Sequence, residues 1–318
     1  MESNSVGIWG VKTFRRVLSK SIGMAVGNNL HDSLSKMGYV IIPSFLDPES
    51  VEHLRKTAQS TIKFAQDGKW PHLRTMPRQF PPWSSDPSAG IWGIQHLLHP
   101  DLPDSDVYAS SYFNDTVIDA VKQIIQCPED ELVMELYNML VGTEKDFELR
   151  WHRDDIPATA SVKEEEARLC GDHDESRSYS HAQWNIPLYE DSCLVVVPGS
   201  HRRARTESER AADPYQSVLD GMKVVELKAG DAVFYDHNIL HRGVYPGGKP
   251  RATLHGSIGK TGTDRARVIL QHGVGDWIRR RSFSGLGDLS GRAESMKRRL
   301  VDVDDAREGK DIGFSLDH

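Results

Sequence analysis

His152 and Asp154 stand two residues apart in RWHRDDI, residues 150 to 156, beside Trp151, Arg153 and Asp155. In an extended chain residues i and i+2 project to one face, so this imidazole and this carboxylate point together while Arg153 and Asp155 face away. Two ligands on a common face begin a metal site, and a third must come from elsewhere. Downstream, DHNILHRGVYPGGKPRATLHG supplies His237, His241 and His255, together with Arg251. The even spacing of His237 and His241 on a strand does not separate them as ligands. Asp155 replaces Asp154 only if the strand bulges there.

The PGG turn between His241 and Arg251 predicts a hairpin. With an odd loop centred on Gly247, His241 faces Thr253 and Gly243 faces Arg251. His241 and Arg251 then share a face, displaced by roughly 7 Å along the strand. That displacement suits a ligand that chelates a metal at one end and meets a guanidinium at the other. A short dicarboxylate fits, because arginine offers a planar fork matched to a carboxylate.

These residues need elements to hold them. HDSLSKMGYVIIPSF reads as a helix end, a glycine turn and a short strand. A helix then starts with Asp47 as cap and Pro48 in its first turn, with Val51, Leu54 and Ala58 at helical spacing. Residues 71 to 105, rich in Pro, Trp and Ser, read as a long loop of the kind that covers sites, in which Trp83 and Trp92 form either an apolar lid or core. A second helix, NDTVIDAVKQIIQ, is capped by Asn114 or Asp115. From about residue 131, short β-type runs separated by Gly, Pro and Asp predict a mainly β domain, a sandwich or barrel with flanking helices. The boundaries expected are an N-terminal extension over 1–30, a domain over 31–275 with a solvated charged insert at 161–180, and a solvated helical extension over 276–318.

Composition excludes several function classes. Net charge is −7, which gives no electrostatic reason to expect nucleic acid. No apolar run approaches the ~18 residues that span a membrane. Three cysteines, Cys127, Cys170 and Cys193, without CxxC spacing argue against a disulfide framework and for a reducing, cytoplasmic setting. The lead VKTFRRVLSKSIGMAV is basic and free of acids, the composition of a mitochondrial presequence or of a surface helix.

Two histidines and one carboxylate that leave open coordination positions form the facial triad of non-heme Fe(II) oxygenases. Four stretches in order, MGYVIIPSFLDPESVEHLR, WHRDD, SCLVVVPGSHR and LHRGVYPGGKPRATL, resemble the phytanoyl-CoA dioxygenase family of Fe(II)- and 2-oxoglutarate-dependent oxygenases, over most of residues 36 to 258. The resemblance implies a double-stranded β-helix, a jelly roll of the cupin kind. It also implies that His152, Asp154 and His241 bind Fe(II), that Arg251 binds the far carboxylate of 2-oxoglutarate, and that Trp184 and Met139 line the cosubstrate pocket. His201 and His255 are read as hydrogen-bonded structural histidines. The chain departs from the family pattern in its charged insert and in YEDSC, where an Asn-Gly turn is more usual.

The function so implied is hydroxylation or desaturation of a small organic metabolite by O2, with release of succinate and CO2. A carboxylate at Asp154 argues for oxygenation, since related halogenases carry a small residue there. Two other readings are a jelly-roll binding module without turnover and a cupin-like metalloenzyme that uses no 2-oxoglutarate. The intact triad and Arg251 count against the first, and dependence on that cosubstrate separates the second from the oxygenase.

Overall fold

A computed structural model of the chain describes residues 29–169, 179–263, 269–270 and 272–306. The basic lead, Cys170 and most of the second half of the charged insert lie outside the described residues. The local signals act where they stand in the sequence. α1 (Leu30–Met37) ends at Gly38, whose φ of 80° is a left-handed turn that glycine enters without steric cost, and β1 (Tyr39–Ile42) follows. In α2 (Pro48–Gln66) the Asp47 side chain accepts the Ser50 N–H, satisfying a donor that the first turn leaves open. β2 (Leu73–Thr75), β3 (Ile91–Ile94), α3 (Ser105–Tyr112) and α4 (Asp115–Ile125) come next, the last capped by Asn114.

Eight more strands follow: β4 (Leu132–Val141), β5 (Phe147–Glu148), β6 (His181–Pro187), β7 (Leu194–Val197), β8 (Lys223–Val224), β9 (Ala232–Tyr235), β10 (Leu240–Tyr245) and β11 (Ala252–Lys260). They pair antiparallel into two sheets, a larger one in the order β1-β9-β6-β11-β4-β3-β2 and a smaller one in the order β5-β10-β7-β8. Leu194 and Val196 of β7 pack on Val233 and Tyr235 of β9, which fastens the sheets face to face. The architecture is the jelly roll that was expected.

Strand alternation divides the larger sheet into an apolar outer face and a polar inner one. Met139, Trp184, Phe234 and Leu254 point outward into the main core with Leu54, Ala58 and Tyr112 of the helices. Gln183, Asn185, Tyr235 and His255 point inward, toward the smaller sheet.

Three expectations need correction. The PGG turn closes no hairpin, because β10 pairs with β7 and β5 while β11 pairs with β4 and β6. His241 therefore faces Val196, and Thr253 lies between Leu140 and Pro187. The turn carries the chain from one sheet to the other, where both strands gain two pairing partners in place of one.

The C-terminal segment, expected to be solvated, contributes α7 (Gly275–Ile278) and α8 (Ser290–Ala306), whose Met296 and Leu300 are wholly buried in the main core. The insert was expected to stay out of any core. Its helix α5 (Val162–Leu169) instead buries Glu165 completely, against Arg153, Arg205 and Arg210, the last just ahead of the C-terminus of α6 (Glu207–Ala211). An acid with three guanidinium partners enters a protein interior that excludes a lone one.

Candidate metal and cosubstrate site

His152, Asp154 and His241 come together, their ligand atoms all within 4.8 Å of one another. The Nε2 atoms of His152 and His241 each lie 3.6 Å from Asp154 Oδ1. Backbone pairing sets this arrangement: His152 and His241 form an isolated antiparallel bridge, and the Asp154 N–H donates to the His237 carbonyl at 2.8 Å. Each ring is oriented from behind. His152 Nδ1 lies 2.8 Å from the Arg150 carbonyl and His241 Nδ1 2.8 Å from the Ile239 carbonyl. A carbonyl only accepts, so Nδ1 carries the proton in both rings and the Nε2 lone pairs converge on one point.

Electrostatics favours the ligand forms. Burial, with His241 close by, pushes the His152 imidazole down to about 3, which keeps it neutral. Burial pushes the Asp154 carboxyl up, but His241, His152 and the hydrogen bond from Gln183 outweigh it and leave the group below its ordinary range. Gln183 Nε2 donates to Asp154 Oδ2 at 3.0 Å, which leaves Oδ1 turned to the histidines.

Arg251 lies in the wall of the same cavity. Its Nε donates to Asp191 Oδ2 at 2.7 Å, and its guanidinium lies 4.4 Å from the centre of the Tyr245 ring. Asp191 also accepts a hydrogen bond from Thr253 Oγ1. Burial raises the Asp191 carboxyl, but Arg251 and these hydrogen bonds bring it down to about 2, and Arg251 itself is held above its ordinary value. Arg251 Nη1 is buried without a hydrogen-bond partner, a donor that a carboxylate in the cavity would satisfy.

The other sequence candidates divide. Trp184 and Met139 are wholly buried on the outer face, so neither lines the cavity; on β6 the wall is made by their inward neighbours Gln183 and Asn185, and on β4 by Leu136 and Leu140. Trp184 lies across Gly256, where an added Cβ would come within 2.4 Å of the indole. His237 is paired with Asp155 at 2.6 Å and lies against His181 with ring centres 4.4 Å apart, which removes both alternative ligands from the cluster. Asp155 still reaches the cavity rim. His201 is structural, with Nε2 2.9 Å from the Ser35 carbonyl. His255 bonds Asn185 but faces the cavity, where burial and Arg74 push its imidazole down to about 3.

Sequence reasoning missed Gln183 and Asp191. The polar alternation in AQWNIP marks Gln183, whereas Asp191 meets Arg251 only through the fold. The loop ahead of the jelly roll does cover the site. Gln79 accepts the Arg150 N–H at 3.0 Å, Phe80 stands edge-on to His152 with ring centres 5.9 Å apart, and Trp83 and Trp92 both line the wall. The cavity has a volume of about 160 Å³.

Residues 34–244 match the family model for phytanoyl-CoA dioxygenase. The chain belongs to that family. Its fold is shared with HygX from Streptomyces hygroscopicus, solved with nickel and 2-oxoglutarate bound (16% identity, 75% of this chain and 89% of that one, TM-score 0.53). EctD from S. alaskensis, solved with 2-oxoglutarate and 5-hydroxyectoine, is similar at 17% identity over 74% of this chain and 76% of that one (TM-score 0.52). AviO1 from Streptomyces viridochromogenes Tue57 gives 17% identity over 75% and 98% (TM-score 0.51). No curated protein sequence matches. As a member of the phytanoyl-CoA dioxygenase family the protein is an iron- and 2-oxoglutarate-dependent oxygenase. Its donor set, two imidazoles and one carboxylate on one side of a cavity, fits Fe(II).

Proposed function

We propose that the protein hydroxylates a small organic metabolite, with Fe(II) held by His152, Asp154 and His241 and the far carboxylate of 2-oxoglutarate held by Arg251. The observation that carries this reading is the buried, unpaired Nη1 of Arg251, in the wall of the cavity that also holds the three converging ligand atoms. When bound, the iron and 2-oxoglutarate supply oxidative decarboxylation to succinate and CO2 and the transfer of one oxygen atom from O2.

The chain's own residues do the rest. Gln183 and the two backbone carbonyls fix the ligands before iron arrives, so binding costs little reorganisation. Asp191 and Thr253 hold Arg251 in place for a planar carboxylate. Gln79 and Phe80 stand over the metal side, which limits access of water to an oxidising site. Asp154 fills the position that halogenases leave to chloride, so oxygenation is the expected outcome. Among the described residues no helix is long and apolar enough to cross a membrane, and neither Cys127 nor Cys193 is in a disulfide.

The test is anaerobic titration of metal-free protein with Fe(II) and then 2-oxoglutarate, following the weak visible charge-transfer band of a chelated 2-oxo acid. A band that His152→Ala and Arg251→Leu both weaken is expected. Bound iron with no band would leave a cupin-like metalloenzyme that does not use 2-oxoglutarate.

A further inference from the structure

Of the two arginines that line the cavity among the described residues, Arg251 has an acid partner, Asp191. Arg74 does not. Its Nε is buried without a hydrogen-bond partner, and among the described residues no carboxylate pairs with its guanidinium. Two indoles hold it instead, with the guanidinium carbon 5.4 Å from the Trp83 ring centre and 5.3 Å from that of Trp92. Aromatic faces stabilise a cation but leave its N–H edge unsatisfied.

The side chain is aimed into the cavity by the sheet. Arg74 on β2 pairs with Gly93 on β3, where an added Cβ would come within 3.0 Å of the Arg74 stem, so glycine leaves the path along which the arginine crosses. Arg74 lines the cavity, and its charge is felt by His255 and by Asp154. Burial lowers its own affinity for a proton, which reflects a charge lacking a close counter-ion.

Taking the oxygenase reading as given, we infer that Arg74, clasped by Trp83 and Trp92, receives a carboxylate of the primary substrate, which is therefore a small organic acid. The two carboxylates of 2-oxoglutarate already have places at the iron and at Arg251, which leaves Arg74 a third anion position. That position lies on the edge strand β2, against Trp83 and Trp92, away from β10, which carries His241. A guanidinium offers a planar fork whose two N–H bonds match the two oxygens of a carboxylate. Leu136, Leu140 and Leu149 line the same cavity and would take an apolar body.

The experiment uses anaerobic protein loaded with Fe(II) and 2-oxoglutarate. Short-chain and aromatic monocarboxylates, each beside its primary amide, are titrated while tryptophan fluorescence and the charge-transfer band are followed. The expected result is that at least one acid binds about ten- to a hundredfold more tightly than its amide. Arg74→Gln should erase that preference, Arg74→Lys should retain part of it, and the 2-oxoglutarate affinity of both variants should match that of the parent. Failure of every acid to outbind its amide in the parent protein would overturn the inference without any variant. So would an Arg74→Gln protein that loses 2-oxoglutarate affinity and keeps the preference, since Arg74 would then serve the cosubstrate. Absence of the band in the parent would instead count against the oxygenase reading itself.

Discussion

His152 and His241 exchange two backbone hydrogen bonds, 2.9 Å from the His152 N–H to the His241 carbonyl and 3.0 Å in return. Residues paired in this way in an antiparallel ladder project to the same face, so one bridge brings both imidazoles to the same point. Their ring centres are 4.2 Å apart. Asp154 then needs only to turn its carboxylate, and Gln183 turns it.

Replacing that glutamine tests the arrangement. Gln183→Leu keeps the size of the side chain and removes the donor to Asp154 Oδ2. Iron affinity should fall about 10- to 100-fold, as is usual when a partner behind a metal ligand is lost. Competition titration with Fe(II) measures it, and Asp154→Gly should abolish turnover altogether. Unchanged affinity in Gln183→Leu would mean that the carboxylate orients itself.

Arg251→Leu should raise the 2-oxoglutarate requirement by about two orders of magnitude, because truncating one member of a buried charge pair costs roughly 2–5 kcal/mol. Iron binding should be retained. A 2-oxoglutarate affinity equal to that of the parent would remove Arg251 from the site.

Trp184→Ala should separate core from site. The indole packs against Tyr112, Tyr137 and Phe234, so truncation should cost about 3–5 kcal/mol of stability by denaturant unfolding. The affinity of the folded variant for 2-oxoglutarate should stay at the parent value. A selective loss of affinity would return Trp184 to the cosubstrate pocket.

Glu165→Gln should leave Arg153, Arg205 and Arg210 without their acid and cost about 3–5 kcal/mol. Arg153 separates His152 from Asp154 in sequence, and burial already pulls its guanidinium down to about 10. Unfolding of the metal-free protein gives the stability, and Fe(II) titration shows whether the insert also supports the ligands.

Acid should weaken the metal-free protein. His255 is pushed to about 3 in the fold, below the ordinary 6.5, so the unfolded chain binds its proton first and stability falls as pH drops from 6.5 toward 3. Asp191, held at about 2 against 3.8, adds stability that is present above 3.8 and lost below it, in the same direction. Between pH 6.5 and 4 only the histidine of this pair acts. His255→Gln should therefore flatten the decline there by up to ~1.4 kcal/mol per pH unit, read from denaturant midpoints. An unaltered slope would locate the acid sensitivity in other histidines.

Much of the site was legible because its signals are local. The i, i+2 rule joined His152 to Asp154, and the caps at Asp47 and Asn114 marked their helices, since each depends on backbone geometry within a few residues. Arg251 does line the cavity that holds His152, Asp154 and His241, but no hairpin brings it there. A turn is local, but the strand that pairs with β10 lies at a distance in sequence and is chosen by packing.

The sequence by itself determined the ligand types, their order along the chain and the alternation that makes β6 read polar, apolar, polar. Only the tertiary structure decided which face of that alternation is the cavity. A strand's pattern fixes two faces without naming which is inside, and both faces of β6 are buried here. It likewise brought Asp191 to Arg251, Glu165 to Arg153 and the two indoles to Arg74. Each of those charges meets its partner through long-range packing, in an interior where an unpaired charge costs too much for chance placement to persist.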